Sequence, residues 1–360
     1  MRADADIVVI GAGIAGVATA RALADGLRSV VLLEQFELGH ARGSSHGTSR
    51  IHRLNYGDER FVRLAHAAGD AWRALEEERG ERLLERVGVI DLGLAAPATA
   101  KALAACGVRY ETLTADEVAA RWPIRLEPGE TAVFQGDGGF LHAARAHAAL
   151  LGAALDGGVE VRERTHVEAL ALERGSAVRV GLAAGELAAR AVVVTAGAWA
   201  PRLLATVGVE LPVVPTRETV VYLDLPGAGG LPPLIDYAGV PAPGQGGVAR
   251  PGNSTYSLAA PGHGLKAGLH HAGPVADPDE VGAVDESVAA WVAHWASTRY
   301  ADAGERLGAE TCIYTSTADE GFVLERHGHV VVGSACSGHG FKFAPVVGGT
   351  LAALAREASG

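Results

Sequence analysis

The sequence predicts an α/β protein with a Rossmann-like nucleotide-binding domain and a second domain on a mixed or antiparallel sheet. Three observations carry this reading. A complete βαβ unit opens the chain, strand-like segments recur far downstream, and 360 residues with 48% apolar content suffice for two cores.

Asp6–Ile10 is β-branched, apolar and unbroken, as suits a strand buried on both faces. Gly11-Ala12-Gly13-Ile14-Ala15-Gly16 follows at once, then a helical stretch Val17–Ala24 and a second strand Ser29–Leu33 ending at Glu34. Gly11, Gly13 and Gly16 permit a tight turn and let backbone amides approach a pyrophosphate at a helix N-terminus. Glu34 stands where an acid bonds ribose hydroxyls. A ligand-free strand–helix turn would use the same glycines, and the motif does not choose between NAD and FAD.

The helical segment Arg60–Glu78 leads to a strand of a second sheet at Gly88–Leu92, and Pro123–Gly138 is loop-rich. His142–Leu155 reads as a helix and Val159–Glu163 as a strand. Val178–Leu182 and Leu187–Val194 alternate like a hairpin, and the second runs into Thr195-Ala196-Gly197-Ala198-Trp199, a strand end where backbone can approach a ligand. Thr219–Leu223 and Ser254–Leu258 are strands joined by a Pro/Gly-rich loop at Pro241–Gly252. Glu286–Trp295 and Pro345–Ala355 are helices, with a strand at Gly328–Gly333 between them. The chain thus crosses between domains more than once. Residues 1–82, 136–212 and 308–360 form the nucleotide domain, and 83–135 and 213–307 the other.

A net charge of −11 argues against a nucleic-acid partner, while leaving room for a local positive pocket. The three cysteines, Cys106, Cys312 and Cys336, form no CxxC and no disulfide framework, which fits a reducing cytoplasm. The apolar stretch Ile7–Ala20 is preceded by Asp4 and Asp6 and interrupted by glycines, unlike a signal peptide, and no run is long and clean enough to span a membrane.

Four clusters go beyond packing. Gly43–Arg53 follows the ribose-binding strand and belongs near the cofactor. Arg50 and Arg53 share a face if this segment is helical, and such a pair suits an anion; a solvated loop is the bland alternative. In Gly264–His271, strand alternation puts Lys266 and His270 on one face, to bind an anion, move protons or simply meet solvent. Cys312 and Tyr314 lie in an apolar-flanked strand, where a cysteine is ordinarily a small core residue, the reading given to Cys106 and Cys336. In Gly338-His339-Gly340-Phe341-Lys342-Phe343 the glycines let backbone approach a planar ring, and Lys342 between two aromatics is a charge in a partly buried pocket.

Taken together, these motifs and their order resemble the monomeric sarcosine oxidase family, within the D-amino-acid-oxidase-like flavoenzymes, over essentially the whole chain. The resemblance implies a Rossmann-like FAD-binding domain, a substrate domain with a mixed or antiparallel sheet, FAD as cofactor and no metal. Gly11, Gly13, Gly16, Glu34, Ser44, Ser49, Val167, Gly197, Trp199, Gly338, Gly340, Phe341 and Lys342 match cofactor-binding positions. Cys312 matches the cysteine that forms a thioether with the 8-methyl group of FAD. Arg53 and Lys342 match the pair that grips the substrate carboxylate, and Tyr256 a substrate-side tyrosine. Lys266 matches the lysine beside the flavin, on the face away from substrate, where oxygen is reduced. Arg50 and His46 match residues near the flavin ring, and His270 and Tyr314 residues lining the substrate cavity.

The implied enzyme oxidises a secondary amine, sarcosine or another N-methyl amino acid, by hydride transfer to flavin, and then reduces oxygen to hydrogen peroxide. Such a substrate is a zwitterion in water, and its ammonium cannot release hydride. Positive charge around the carboxylate grip favours the neutral amine. A cyclic imino acid or an amine intermediate of secondary metabolism fits the same fold. An NAD(P)-dependent dehydrogenase accounts for Gly11–Glu34 but leaves Cys312 and Gly338–Phe343 without purpose. A noncatalytic FAD-binding protein leaves Lys266, Arg53 and Lys342 without purpose. The implied state is a monomer whose partners are the amine and molecular oxygen.

Overall fold

A computed structural model describes residues 3–93, 95–173, 177–237 and 254–360. The loop expected at Pro241–Gly252 lies outside the described residues. Among them, no helix is long and apolar enough to cross a membrane.

The first sheet is organised by strand Ala5–Ile10, which pairs in parallel with Val30–Leu33 on one side and Gly185–Val194 on the other. Its residues divide between two cores. Ile7 and Val9 pack with helices Ile14–Leu23, Ala143–Asp156 and Ala344–Ser359, whereas Val8 and Ile10 pack toward Ala200, Leu203 and Leu204. Burial on both faces is why the strand has no polar alternation. The sheet extends through the parallel strand Glu160–Arg162 at one edge and the antiparallel strands Val167–Leu172 and Val178–Leu182 at the other. Strand Val330–Ser334 pairs in parallel with the end of Gly185–Val194 and brings Val323–His327 with it.

The glycine turn between Ala5–Ile10 and Ile14–Leu23 is sterically committed. Gly11 has φ +97°, and a Cβ on Gly16 would stand 1.8 Å from the Gly11 carbonyl oxygen. Only hydrogen at that Cα lets the helix start against the strand end.

The second sheet has eight strands in the order Arg306–Ser316, Val214–Leu223, Leu265–Leu269, Thr255–Ala259, Leu234–Tyr237, Val89–Gly93, Thr131–Gln135 and Glu111–Thr114. All neighbours are antiparallel except Leu234–Tyr237 with Val89–Gly93, so the sheet is mixed. Its strands alternate between two faces, with one register shift opposite Tyr222 and Leu223 in the pairing with Arg306–Ser316. Ile90, Val221, Leu223, Leu234, Leu265, Ala267 and Leu269 form a core with helix Glu286–Arg299 through Val288, Val292 and Trp295. The intervening residues, among them Asp91, Tyr222, Tyr256, Lys266, Glu310 and Cys312, take the other face. A third, three-stranded sheet joins the two bodies: Ser49–His52, Gly139–His142 and Leu84–Glu85. Helix Glu59–Arg79 is capped by the Asp58 side chain and ends at left-handed Gly80.

Several elements depart from the sequence reading. The stretch Pro123–Gly138, read as loop-rich, contains the strand Thr131–Gln135 of the second sheet, which puts Ala132 into that sheet's core with Phe134 packed against it. Ser49–His52 is a strand rather than a helix, so Arg50 and Arg53 do not share a helical face. The boundary expected at residue 308 falls inside strand Arg306–Ser316, which pairs along its length in the second sheet. Cys336 is not a core residue: it is partly exposed and lines the central cavity. Cys106 is also only partly buried, 3.3 Å from the Arg63 guanidinium.

Candidate active site

A cavity of about 780 Å³ runs between the first sheet and the polar face of the second. Every site residue singled out from the sequence lines it except Gly16, whose part is to close the strand–helix turn.

At one end lie Gly11, Gly13 and Glu34, with Val167, Gly197 and Trp199 opposite. Glu34 is buried and accepts hydrogen bonds from the Ala12 amide (2.8 Å) and the Phe36 amide (3.0 Å). Burial opposes its ionisation, but His40 and these two amides outweigh it and hold the carboxyl below its ordinary range. The Ser45 hydroxyl accepts from the Ile14 amide at 2.9 Å, fixing the Gly43–Ser49 loop against the helix start.

The middle of the cavity is built by that loop. Ser44 and Ser49 donate their hydroxyls to the carbonyls of Ile313 and Ala259, fastening it to the second sheet. Arg50 folds back onto the carbonyls of Ser44 (2.9 Å) and His46 (2.5 Å) and lies over the Phe341 ring. His46 Nε2 meets the Thr311 carbonyl at 3.1 Å, while its Nδ1 is buried without a partner among the described residues. Burial and Arg50 keep His46 below its ordinary range, hence neutral. Lys266 faces this region from the second sheet, 3.3 Å from Glu310. Burial and Arg50 lower Lys266 to about 8, against the pull of Glu310. Cys312 is buried close by, and burial raises its thiol, so the sulfur carries its proton.

At the far end a guanidinium and an amine flank one phenol. Arg53 donates to Tyr237 Oη at 2.6 Å, lies 3.9 Å from Asp91, and stacks 4.6 Å from the centre of the Tyr56 ring. Lys342 donates to Tyr56 Oη at 2.9 Å and to the His339 carbonyl at 2.6 Å. Burial, then Arg53, hold Lys342 well below the ordinary lysine range. Its backbone is fixed from behind by the Trp72 indole, which donates to the Lys342 carbonyl at 2.7 Å. Burial raises Asp91 to about 7, with Arg53 opposing. His270, Tyr256 and Tyr314 complete the wall, and the two tyrosines share a hydrogen bond. Gly338 allows this closure: at φ +70°, a Cβ there would stand 2.4 Å from the Tyr314 ring and 2.5 Å from His270.

Sequence reasoning missed Tyr56, Asp91, Tyr222, Tyr237 and Glu310. Glu310 was within reach, since it precedes Cys312 by two and must share its strand face. The others come from separate strands or loops and carry no local signature. His270, His271 and Glu320 bring ligand atoms within 4.8 Å of one another. His271 Nε2 stands 3.4 Å from the Glu320 carboxylate, an ion-pair distance.

The cavity fits an elongated dinucleotide. A side chain at Gly11 would collide with the Thr195 carbonyl (2.7 Å), so backbone alone forms the turn facing the cavity. The acid that suits a ribose is held ionised at the same end, and an orphaned His46 nitrogen lies in the loop that lines the middle. The family model described as "FAD dependent oxidoreductase" matches residues 6–354. The chain is 34% identical to the peroxisomal sarcosine oxidase of Homo sapiens, covering 98% of this chain and 92% of that protein. It is 30% identical to the N-methyl-L-tryptophan oxidase of Yersinia pestis, covering 98% and 95%. The solved structure of NikD, described as an unusual amino acid oxidase essential for nikkomycin biosynthesis, superposes with a TM-score of 0.86 at 25% identity, covering 98% of this chain and 94% of that one. The chain belongs to the FAD-dependent oxidoreductase family.

Proposed function

We propose that this member of the FAD-dependent oxidoreductases is an amine oxidase acting on an N-methyl amino acid, with sarcosine as the first substrate to test. The observation that carries the reading is the Arg53–Tyr56–Lys342 arrangement. The partly exposed Arg53 guanidinium and the buried Lys342 amine border one cavity, and Asp91, the carboxyl 3.9 Å from Arg53, is itself reluctant to ionise. An incoming carboxylate supplies the missing countercharge, and its charge-assisted hydrogen bonds fix the orientation of the substrate. The same positive field disfavours a second cation, so the amine binds without its extra proton and its lone pair is free.

FAD, when bound, supplies the two-electron acceptor. Gly11, Gly13 and Glu34 hold its nucleotide end, with Ser44, Ser49, Val167, Gly197 and Trp199 along its length. Gly338, Gly340, Phe341 and Lys342 border its ring end. Cys312 is the point of covalent attachment, and Arg50 and His46 border the ring. His270, Tyr314 and Tyr256 shape the substrate side. Lys266 offers a buried positive charge where oxygen gains its first electron, in a medium where such a charge is worth far more than in water. The FAD-binding body comprises residues 1–82, 136–212 and the C-terminal segment, and the substrate body 83–135 and 213–307. Strand Arg306–Ser316 joins them. The enzyme works as a cytoplasmic monomer with molecular oxygen as its acceptor.

The test is anaerobic mixing of the purified protein with sarcosine while the flavin absorbance is followed. Rapid bleaching supports the proposal. A flavin that stays oxidised moves the assignment to a larger amine, a reading favoured by the likeness to N-methyl-L-tryptophan oxidase, or to a cyclic one. Pipecolate and N-methyl aromatic amino acids are then the substrates to try.

A further inference from the structure

Lys266 is nearly fully buried on strand Leu265–Leu269, yet it meets a carboxylate from two strands away, Glu310 Oε1 at 3.3 Å. The strand between them contributes Tyr222, whose hydroxyl donates to the same Oε1 at 2.6 Å. The registers explain this convergence. Tyr222 lies opposite Lys266, and Val220, two residues earlier, lies opposite Glu310. Opposed residues on neighbouring strands share a face, so three strands deliver amine, phenol and acid to one point. Gly47 caps the group: a Cβ there would stand 3.1 Å from the Arg50 guanidinium, 3.2 Å from Lys266 Nζ and 3.3 Å from Glu310 Oε1.

We propose that Glu310, held by Tyr222, is a positioning residue for Lys266, anchoring its ammonium and keeping it protonated across the working pH range of the oxygen reaction. The inference rests on the assignment of Lys266 to that step. The groups facing Lys266 are Arg50 and His46 from the Gly43–Ser49 loop and its adjoining strand, Tyr222 from the middle strand, and Glu310 and Cys312 from Arg306–Ser316. Glu310 is the carboxylate among them. Arg50 and burial drive the amine toward neutrality, and Glu310 opposes both. Glu310 is itself held ionised: burial disfavours its charge, but Lys266 and the Tyr222 hydroxyl outweigh it.

An opposite charge at this distance shifts a partner by about 1–3 pH units, and the partial exposure of Glu310, 31%, argues for about one. Lys266 at about 8 then falls to about 7 in Glu310→Gln, which keeps the shape and loses the charge. Reoxidation of the reduced holoenzyme by oxygen, followed by stopped flow from pH 6 to 9.5, is the experiment. The variant is expected to reoxidise about fivefold more slowly than the parent at pH 8 and within about 10% of it at pH 6, with the basic limb moved down by about one unit. Spectral titration of oxidised, bound FAD gives a second readout. The transition that Lys266→Met abolishes should move down by the same amount in Glu310→Gln. Tyr222→Phe, which frees the carboxylate, should move it in the same direction by less.

An unmoved basic limb and spectral transition in Glu310→Gln, with Lys266→Met still slow toward oxygen, overturns the role of Glu310 alone. Uniform slowing at every pH also overturns it, because that is the mark of a structural defect. If Lys266→Met reoxidises normally, the assignment of Lys266 falls and this inference with it.

Discussion

Replacing Arg53 by Met tests the carboxylate grip most directly. The guanidinium has five N–H donors, and one nitrogen is engaged by Tyr237 at 2.6 Å. The fork therefore has donors left for a ligand, on a side chain that lines the cavity. Hydrogen bonds to a charged group contribute about 1.5–3 kcal/mol each, and truncating one partner of a buried pair costs about 2–5 kcal/mol. Lys342 remains in Arg53→Met, so about 3 kcal/mol is a fair value for the loss, or roughly a 150-fold rise in the dissociation constant. The substitution does not strand a charge, because Asp91, already raised to about 7 by burial, protonates once Arg53 is gone. The assay is the saturation of flavin bleaching by sarcosine under anaerobic conditions, with sarcosine amide run beside it as a substrate lacking the carboxylate. The parent should favour sarcosine strongly, and Arg53→Met should lose most of that preference. Equal weakening toward both compounds, or less than about a fivefold change for sarcosine, would refute the carboxylate role.

Three further outcomes follow. Cys312→Ala should release its FAD on unfolding in denaturant, whereas the parent chain keeps it, as judged by absorbance of the protein-free filtrate; flavin still attached to the variant would exclude Cys312 as the link. Gly16→Ala places a Cβ 1.8 Å from the Gly11 carbonyl, so the purified variant should contain little flavin, read from its visible absorbance relative to protein. His52 is fully buried, and burial, then Lys342, hold it down at about 3. Its unfolded form takes up a proton near pH 6.5, so this group stabilises the fold above that pH and the stabilisation is lost as pH falls toward 3. Urea denaturation from pH 6 to 4.5 should show His52→Gln losing less stability than the parent, by up to about 1.4 kcal/mol per pH unit, and parallel pH slopes would contradict the assignment.

The nucleotide end was legible because its constraints are local. A buried strand, a turn that admits no Cβ and an acid at the next strand end all lie between Asp6 and Glu34, and each residue type follows from its own backbone position. Lys266, Arg53, Cys312 and Lys342 were singled out through the likeness of short motifs; strand alternation put Lys266 and His270 on one face and left open whether it met a cavity or solvent, and both line the cavity. Two segments were settled by pairing with strands distant in sequence. Thr131–Gln135 is a strand because its neighbours in the second sheet complete it, against its flanking Pro and Gly residues. Arg50 and Arg53 would share a face only if their segment were helical, and pairing with Gly139–His142 makes it a strand instead.

What the sequence by itself determined is therefore the class of fold, the nucleotide turn and the identity of most groups around the cavity. Only the tertiary structure decided how those groups are charged. Asp91 and Arg53 are 38 residues apart in the chain and Lys266 and Glu310 are 44, yet each pair meets within 4 Å across strands. Whether a buried carboxyl or amine keeps its proton depends on such neighbours and on the exclusion of water, and neither is written in any local stretch of residues.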